Sequence, residues 1–428
     1  LNSPMIYSIV ADDSGNAITT GYFNGTVGFG GAPLHSAGGR DIFIAKHGPN
    51  GDHLWSKRFG DGNNQYGVAT MLDSHGNVIL VGGFAGTVDF GGGPLTSAGD
   101  YDIFVAKFSP HGAHLWSASF GDPDYDMPSD VAVDDDGNVF IVGQFAGLLD
   151  LGGGPLTSAG RRDVFLLQLT PLGAHVWSAG FGDADHDQSR GIALDTSGDP
   201  VITGDFRGSI DFGAGPLISA GSHDVFVAKF TTAGGHLWSQ AHGDRNYDSP
   251  RDIDLDSTDR VILTGHFSGS IAFAPLPPLT SEGNYDAFLA QIDANGGGIW
   301  SRRFGDASSD YANLVAVDSD DKVLMAGHCQ DSIDFGLGPL TSAGAYDAYL
   351  AEFDSDGDIN WAENFGATSN QIATGLDTDT DHNILLAGRF EETIDVGGGP
   401  LTSSGGYDVF IARLQPSDLS AIIGNRVW

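Results

Sequence analysis

The chain has 428 residues, 19 Lys+Arg against 56 Asp+Glu, and a formal net charge of −37. That charge argues against nucleic acid or an anionic membrane surface as partner, and acids that are almost all Asp, with 64 Gly, argue against an all-helical fold. A single cysteine, Cys329, excludes an intrachain disulfide framework and a Cys-based zinc site, and no apolar run reaches the ~18 residues of a membrane-spanning helix.

Strand character begins near Met5, and the clearest unit runs from Tyr66 to Gly121. YGVATML (66–72) is short and apolar and leads into the turn DSHGN (73–77). VILVGGF (78–84) is rich in β-formers, and GTVDFGGGPLTSAGDY (86–101) reads as a long Gly/Pro/Ser loop. DIFVAKF (102–108) alternates, SPHGA (109–113) turns, and HLWSASF (114–120) makes a fourth strand. Four strands without an intervening helix predict one antiparallel sheet and exclude parallel βαβ units.

The unit repeats. The length is seven times 61 with one residue left over. GGGPLTSAG at Gly91 has counterparts at Gly30, Gly152, Gly213, Pro275, Gly336 and Gly397. An Asp follows each copy: Asp41, Asp102, Asp163, Asp224, Asp286, Asp347 and Asp408. The extra residue lies in the fifth copy, between Ala272 and Asp286. Trp55, Trp116, Trp177, Trp238, Trp300 and Trp361 recur in the fourth strand, where the seventh copy has Ile422. Seven four-stranded sheets predict an all-β, seven-bladed β-propeller over 1–428. Its blades fall near 1–60, 61–121, 122–182, 183–243, 244–305, 306–366 and 367–428. A linear solenoid needs capping repeats, for which no residues remain. Each blade is contiguous, so the ring is expected to close without an exchanged strand, by face packing of blade seven on blade one, with Trp428 contributing.

The phrases D-x-x-G-N-V, G-x-F-x-G-T-V-D-F-G, L-T-S-A-G-x-x-D-x-F-V-A-K and L-W-S resemble the seven-bladed β-propeller repeat (SBBP) of secreted and surface bacterial proteins. The resemblance covers all seven copies and implies a fold and an extracellular or cell-surface location, but no common activity. The copies depart from it at GFG (28–30), at IAFAPLPP (271–278) and in the last strand. The opening LNSPMIYS is not a signal peptide, and a mature form or an excised piece is expected.

Residues present in every blade are assigned to building the blade. The Asp41 series is expected to cap N–H groups of the preceding SAG loop. The Asp89, Asp150, Asp211, Asp334 and Asp395 series reads the same way, and the Trp series as packing between blades. The loops after the fourth strands include D-x-D-x-D runs, Asp122, Asp124, Asp126 and Asp183, Asp185, Asp187. Alternate carboxylates in a tight loop suit Ca²⁺, although the EF-hand glycine and distant Glu are absent.

Symmetry breaks on the first strands. Asp252 and Asp254 place two carboxylates on one strand face, a weak basis for acid–base catalysis on a polysaccharide. Arg161, Arg162, Arg190, Arg207, Arg245 and Arg251 gather in blades three to five, which suggests ion pairing or a site for an anionic group such as an acidic sugar. His328 beside Cys329 departs from the repeat but has no catalytic context. The leading expectation is a non-enzymatic exported binding or scaffold propeller, a monomer, presenting loops to a protein or glycan ligand, with Ca²⁺ in the acidic loops. The alternatives are a polysaccharide hydrolase or lyase, and a purely structural surface or matrix protein.

Overall fold

The computed structural model describes residues 3–415 and the backbone of 426–427. Seven four-stranded antiparallel sheets form a ring, and no helix occurs among the described residues. In blade two the strands are Gln65–Leu72, Val78–Phe84, Asp102–Phe108 and His114–Phe120, paired in chain order from the axis outward. The second and third strands are buried along their whole length because adjacent blades cover both faces. The segment between them, expected as a loop, holds a two-stranded ribbon, Thr87–Asp89 with Pro94–Thr96, and each of the other six blades has its equivalent.

The turn after the first strand behaves as its chemistry dictates. Asp73 accepts hydrogen bonds from the N–H groups of His75 and Asn77, and Gly76 takes a positive φ. Where glycine is replaced at this position, Asp259, Asp321 and His382 adopt the same left-handed conformation. The turn Asp also meets a buried cation of the third strand: Lys46–Asp12 at 2.7 Å, Lys107–Asp73 at 2.8 Å and Lys229–Asp195 at 2.7 Å.

Blades are joined by a repeated hydrogen bond. The indole N–H of Trp55 donates to the Pro110 carbonyl of the next blade at 3.1 Å. Trp116, Trp177, Trp238 and Trp300 do the same to Pro171, Thr232, Ala294 and Ser355. At the closing joint Arg413 takes this part, donating to the Pro49 carbonyl of blade one at 3.3 Å. Ile6, Ile9 and Phe43 of blade one pack there in one cluster with Leu385, Ala387 and Ile411 of blade seven. Among the described residues no strand is exchanged, as expected, while Trp428 and Ile422 lie outside them.

Candidate functional site

Every first strand carries a β-bulge near its start. In blade four, Ser189 pairs with Gly204 and Gly191 with Thr203, so Arg190 is the extra residue. The equivalent residues are Tyr7, Val68, Ser129, Arg251, Asn313 and Thr374. A bulge bends the strand and re-aims one side chain. The facing strand must approach closely, which explains the glycine there in every copy: a Cβ on Gly204 would overlap the Gln188 carbonyl. All seven bulge residues line an axial channel of ≈ 1100 Å³.

The bulge side chains differ from blade to blade, unlike the residues that build the blades. Around them at the same end of the channel stands an aromatic belt. Tyr22, Tyr66, Tyr101 and Tyr125 follow one another with ring centroids 5.2, 5.7 and 6.0 Å apart. Tyr247, Tyr285, Tyr311 and Tyr346 continue at 6.1, 5.9 and 6.4 Å. Arg40 lies over Tyr22, Arg162 over Tyr125 and Arg389 over Tyr407, at 4.7, 4.0 and 4.5 Å. Burial holds the imidazoles of His266 and His328 far below their usual pKa, and the nearby arginines add to the effect, so both rings are neutral.

The arginine cluster read from the sequence divides. Arg190 and Arg251 line the channel, and Arg162 stands at its mouth over Tyr125. Arg161, Arg207 and Arg245 are exposed. Arg190 pairs with Asp205 at 2.8 Å. Arg251 has no ion pair among the described residues, and its Nε has no hydrogen-bond partner there.

Asp252 and Asp254 do line the channel, but they are bonded to the next blade. The Asp252 carboxylate accepts from the Val315 N–H at 2.9 Å, and that of Asp254 from the Val317 N–H at 2.8 Å. Asp130 and Asp377 make the same link to Ile192 and Ala11 at 3.0 and 2.7 Å. Their partners are thus backbone N–H groups of the neighbouring inner edge strand. Burial raises Asp254 to about 6, and Asp130 and Asp377 to about 7.

The acidic loops are organised from within. Asp122 accepts from the N–H groups of Asp124 at 2.7 Å and Leu148 at 2.8 Å, and its own N–H donates to Asp126 at 3.0 Å. Asp183 repeats this with Asp185, Ser209 and Asp187. Asp124 and Asp185 are exposed, whereas Asp126 and Asp187 are fully buried. Among the described residues, the group whose potential metal-ligand atoms lie within 4.8 Å of one another is Asp318, Asp320 and His382, outside these loops. The Asp41 and Asp89 series do what the sequence suggested: Ala98 N–H donates to Asp102 at 3.0 Å, and Gly91 N–H to Asp89 at 2.7 Å. Cys329 is buried, and burial pushes its thiol up to about 12, which removes it as a nucleophile.

Residues 115–144 match the SBBP model, described as "Beta-propeller repeat". The protein is a seven-bladed β-propeller that carries the SBBP repeat. The matched residues begin in the fourth strand of blade two and end in the second strand of blade three. The chain is 22% identical to an uncharacterized WD repeat-containing protein of Acanthamoeba polyphaga mimivirus, over 88% of this chain and 34% of that protein. It is 21% identical to the regulatory protein FlaEY of Caulobacter vibrioides, over 68% of this chain and 33% of that protein. It therefore spans about a third of these curated relatives. Among solved structures, puromycin hydrolase matches 96% of this chain with 52% of its own, at 12% identity and a TM-score of 0.50, a likeness of fold alone.

The bulge position was missed from sequence. Asp252 and Asp254 lie four and two residues before the turn Asp256, whereas the residue that the bulge turns into the channel, Arg251, lies five before it. The residue preceding each Asp of the Asp41 series also carried a signal. It is Arg40, Tyr101, Arg162, His223, Tyr285, Tyr346 and Tyr407, aromatic or cationic in all seven copies.

Proposed function

We propose that this SBBP propeller is a non-enzymatic, exported binding module whose recognition surface is the tyrosine- and arginine-lined mouth of the axial channel. The propeller fold and the WD-repeat relative support a scaffold or binding role. The observation that carries the choice of surface is the bulge series. Seven blades repeat their structural residues faithfully, yet at the position aimed into the channel they present Tyr, Val, Ser, Arg, Arg, Asn and Thr. A position under only structural demand would repeat like its neighbours; one that shapes a single asymmetric ligand site would not. The ligand is a protein segment or a glycan small enough to enter a channel of ≈ 1100 Å³. Catalysis is not part of this reading, because the axial carboxylates already accept hydrogen bonds from the next blade.

An array of glycans and peptides tests it. Wild-type protein is expected to bind a subset, and Arg190→Gln/Arg251→Gln to lose those signals at least tenfold, as loss of charged hydrogen bonds implies. Asp135→Asn/Asp136→Asn, in the exposed turn at the far end of the first strand from the bulge, is expected to keep them. Signals that ignore the channel variant would refute the surface. Polysaccharide hydrolysis abolished by Asp254→Asn would overturn the non-enzymatic assignment.

A further inference from the structure

We propose that the mouth binds an acidic sugar chain, with a uronate carboxylate held by Arg251 and its pyranose rings against the tyrosine belt; this rests on reading the mouth as the recognition surface. The first support is charge. In a chain of net charge −37, Arg190 and Arg251 project into the channel, and Arg40, Arg162 and Arg389 stand on the aromatic rings around it. The second is the state of Arg251. Arg190 has Asp205, but the same carboxylate also accepts from Ser249 Oγ at 3.1 Å. Arg251 is left among Arg190, Tyr247, Asp205 and Tyr311 without an ion pair among the described residues, and its Nε lacks a hydrogen-bond partner there. A largely buried guanidinium without an anion is costly. A planar carboxylate matches its fork with two parallel hydrogen bonds.

The third support is shape and chemistry. Tyrosine offers a flat apolar face to the C–H side of a pyranose and a hydroxyl to its OH groups. His266 and His328, both neutral, extend this surface without adding charge: His266 lies 5.3 Å from Tyr285, and His328 4.8 Å from Tyr311. The rim explains why the ligand is not a dense polyanion. Asp122, Asp124, Asp183 and Asp185 belong to loops of this same end, where their neighbours Tyr125 and His186 bridge to Tyr101 and Arg162. A chain with one charge per ring, and hydroxyls elsewhere, meets less repulsion there than a polyphosphate.

Calorimetry on the full chain with trigalacturonate, its fully methyl-esterified form and a pentaglutamate peptide tests the proposal. Trigalacturonate is expected to bind at least tenfold more tightly than the ester, and Arg251→Gln to erase that preference. Arg389→Gln, farther out, is expected to weaken it less and serves as the second variant should Arg251→Gln fail to melt cooperatively. Equal affinity for acid and ester, or no binding of trigalacturonate, overturns the proposal. Pentaglutamate binding that needs Arg251, without trigalacturonate binding, overturns the sugar class while the binding module stands. Array signals untouched by Arg190→Gln/Arg251→Gln remove the binding module's surface itself.

Discussion

Arg413→Met should lower unfolding stability by about 3–5 kcal/mol, the range for removing one partner of a buried ion pair. Arg413 Nε donates to Asp379 at 3.0 Å and Nη2 also reaches it, while Nη1 crosses to the Pro49 carbonyl of blade one. The substitution therefore takes the cation from a buried carboxylate, which keeps only Asn383 and the Asp381 N–H as donors, and removes the hydrogen bond to blade one, the counterpart of those that Trp55, Trp116, Trp177, Trp238 and Trp300 make at other joints. Remaining ties there include Ala11 N–H to Asp377 at 2.7 Å and the shared apolar cluster. The expected result is a lower urea midpoint with early exposure of blades one and seven. An unchanged midpoint would mean that the joint closes through those other contacts alone.

Stability should also fall as the pH rises from 5 to 8.5, and Asp126→Asn/Asp187→Asn/Asp248→Asn/Asp310→Asn should flatten that fall. Burial raises Asp126 and Asp310 to about 7, and Asp187 and Asp248 to about 8, and neighbouring acids add to the rise. An unfolded Asp titrates near 4 (~3.9). Between these values the folded chain holds protons that the unfolded chain has lost, so each added pH unit favours unfolding until the folded groups ionise. Single Asp248→Asn should add about 1–3 kcal/mol at pH 8.5 and nothing at pH 4.

The repeat itself argues for the neutral form. Gln65 and Gln371 occupy the same position in two blades. Gln65 accepts from the Asp61 N–H at 3.3 Å and donates to the Ala85 carbonyl at 2.8 Å. Below pH 4 the sign reverses. For Asp12, Asp73 and Asp195, burial is outweighed by hydrogen bonds from Asn or the backbone and by their lysines, which holds them below the usual range. Their contribution is present above the unfolded pKa and lost as the pH falls through the folded one. A stability maximum near pH 4 follows, and parallel slopes for wild type and the fourfold variant would contradict it.

Strand order and bounds were legible because each face of each blade is buried by a near-identical neighbour, so composition and turn chemistry agree in seven copies. The ribbon around Gly91 was not, since Gly, Pro and Ser mask a two-stranded pairing only three residues long. The candidate site was legible in part. Arg190 and Arg251 emerged as departures from symmetry, but so did Arg161, Arg207 and Arg245, which the structure leaves exposed. Tyr7 and Thr374 gave no signal, because a bulge breaks the period of two on which face assignments rest. Asp252 and Asp254 were found, but their role was hidden: their partners are N–H groups of the next blade, 63 residues away in sequence.

The central claim, that recognition occurs at the bulge-lined mouth of the channel, is tested most directly by amide hydrogen exchange on the full chain with and without its strongest array ligand. Protection is predicted in the first-strand starts, 66–69, 127–131, 188–192 and 249–253, with the outer strands His53–Phe59 and His236–His242 unchanged. Protection of the outer strands alone, with the first-strand starts unaltered, would contradict it.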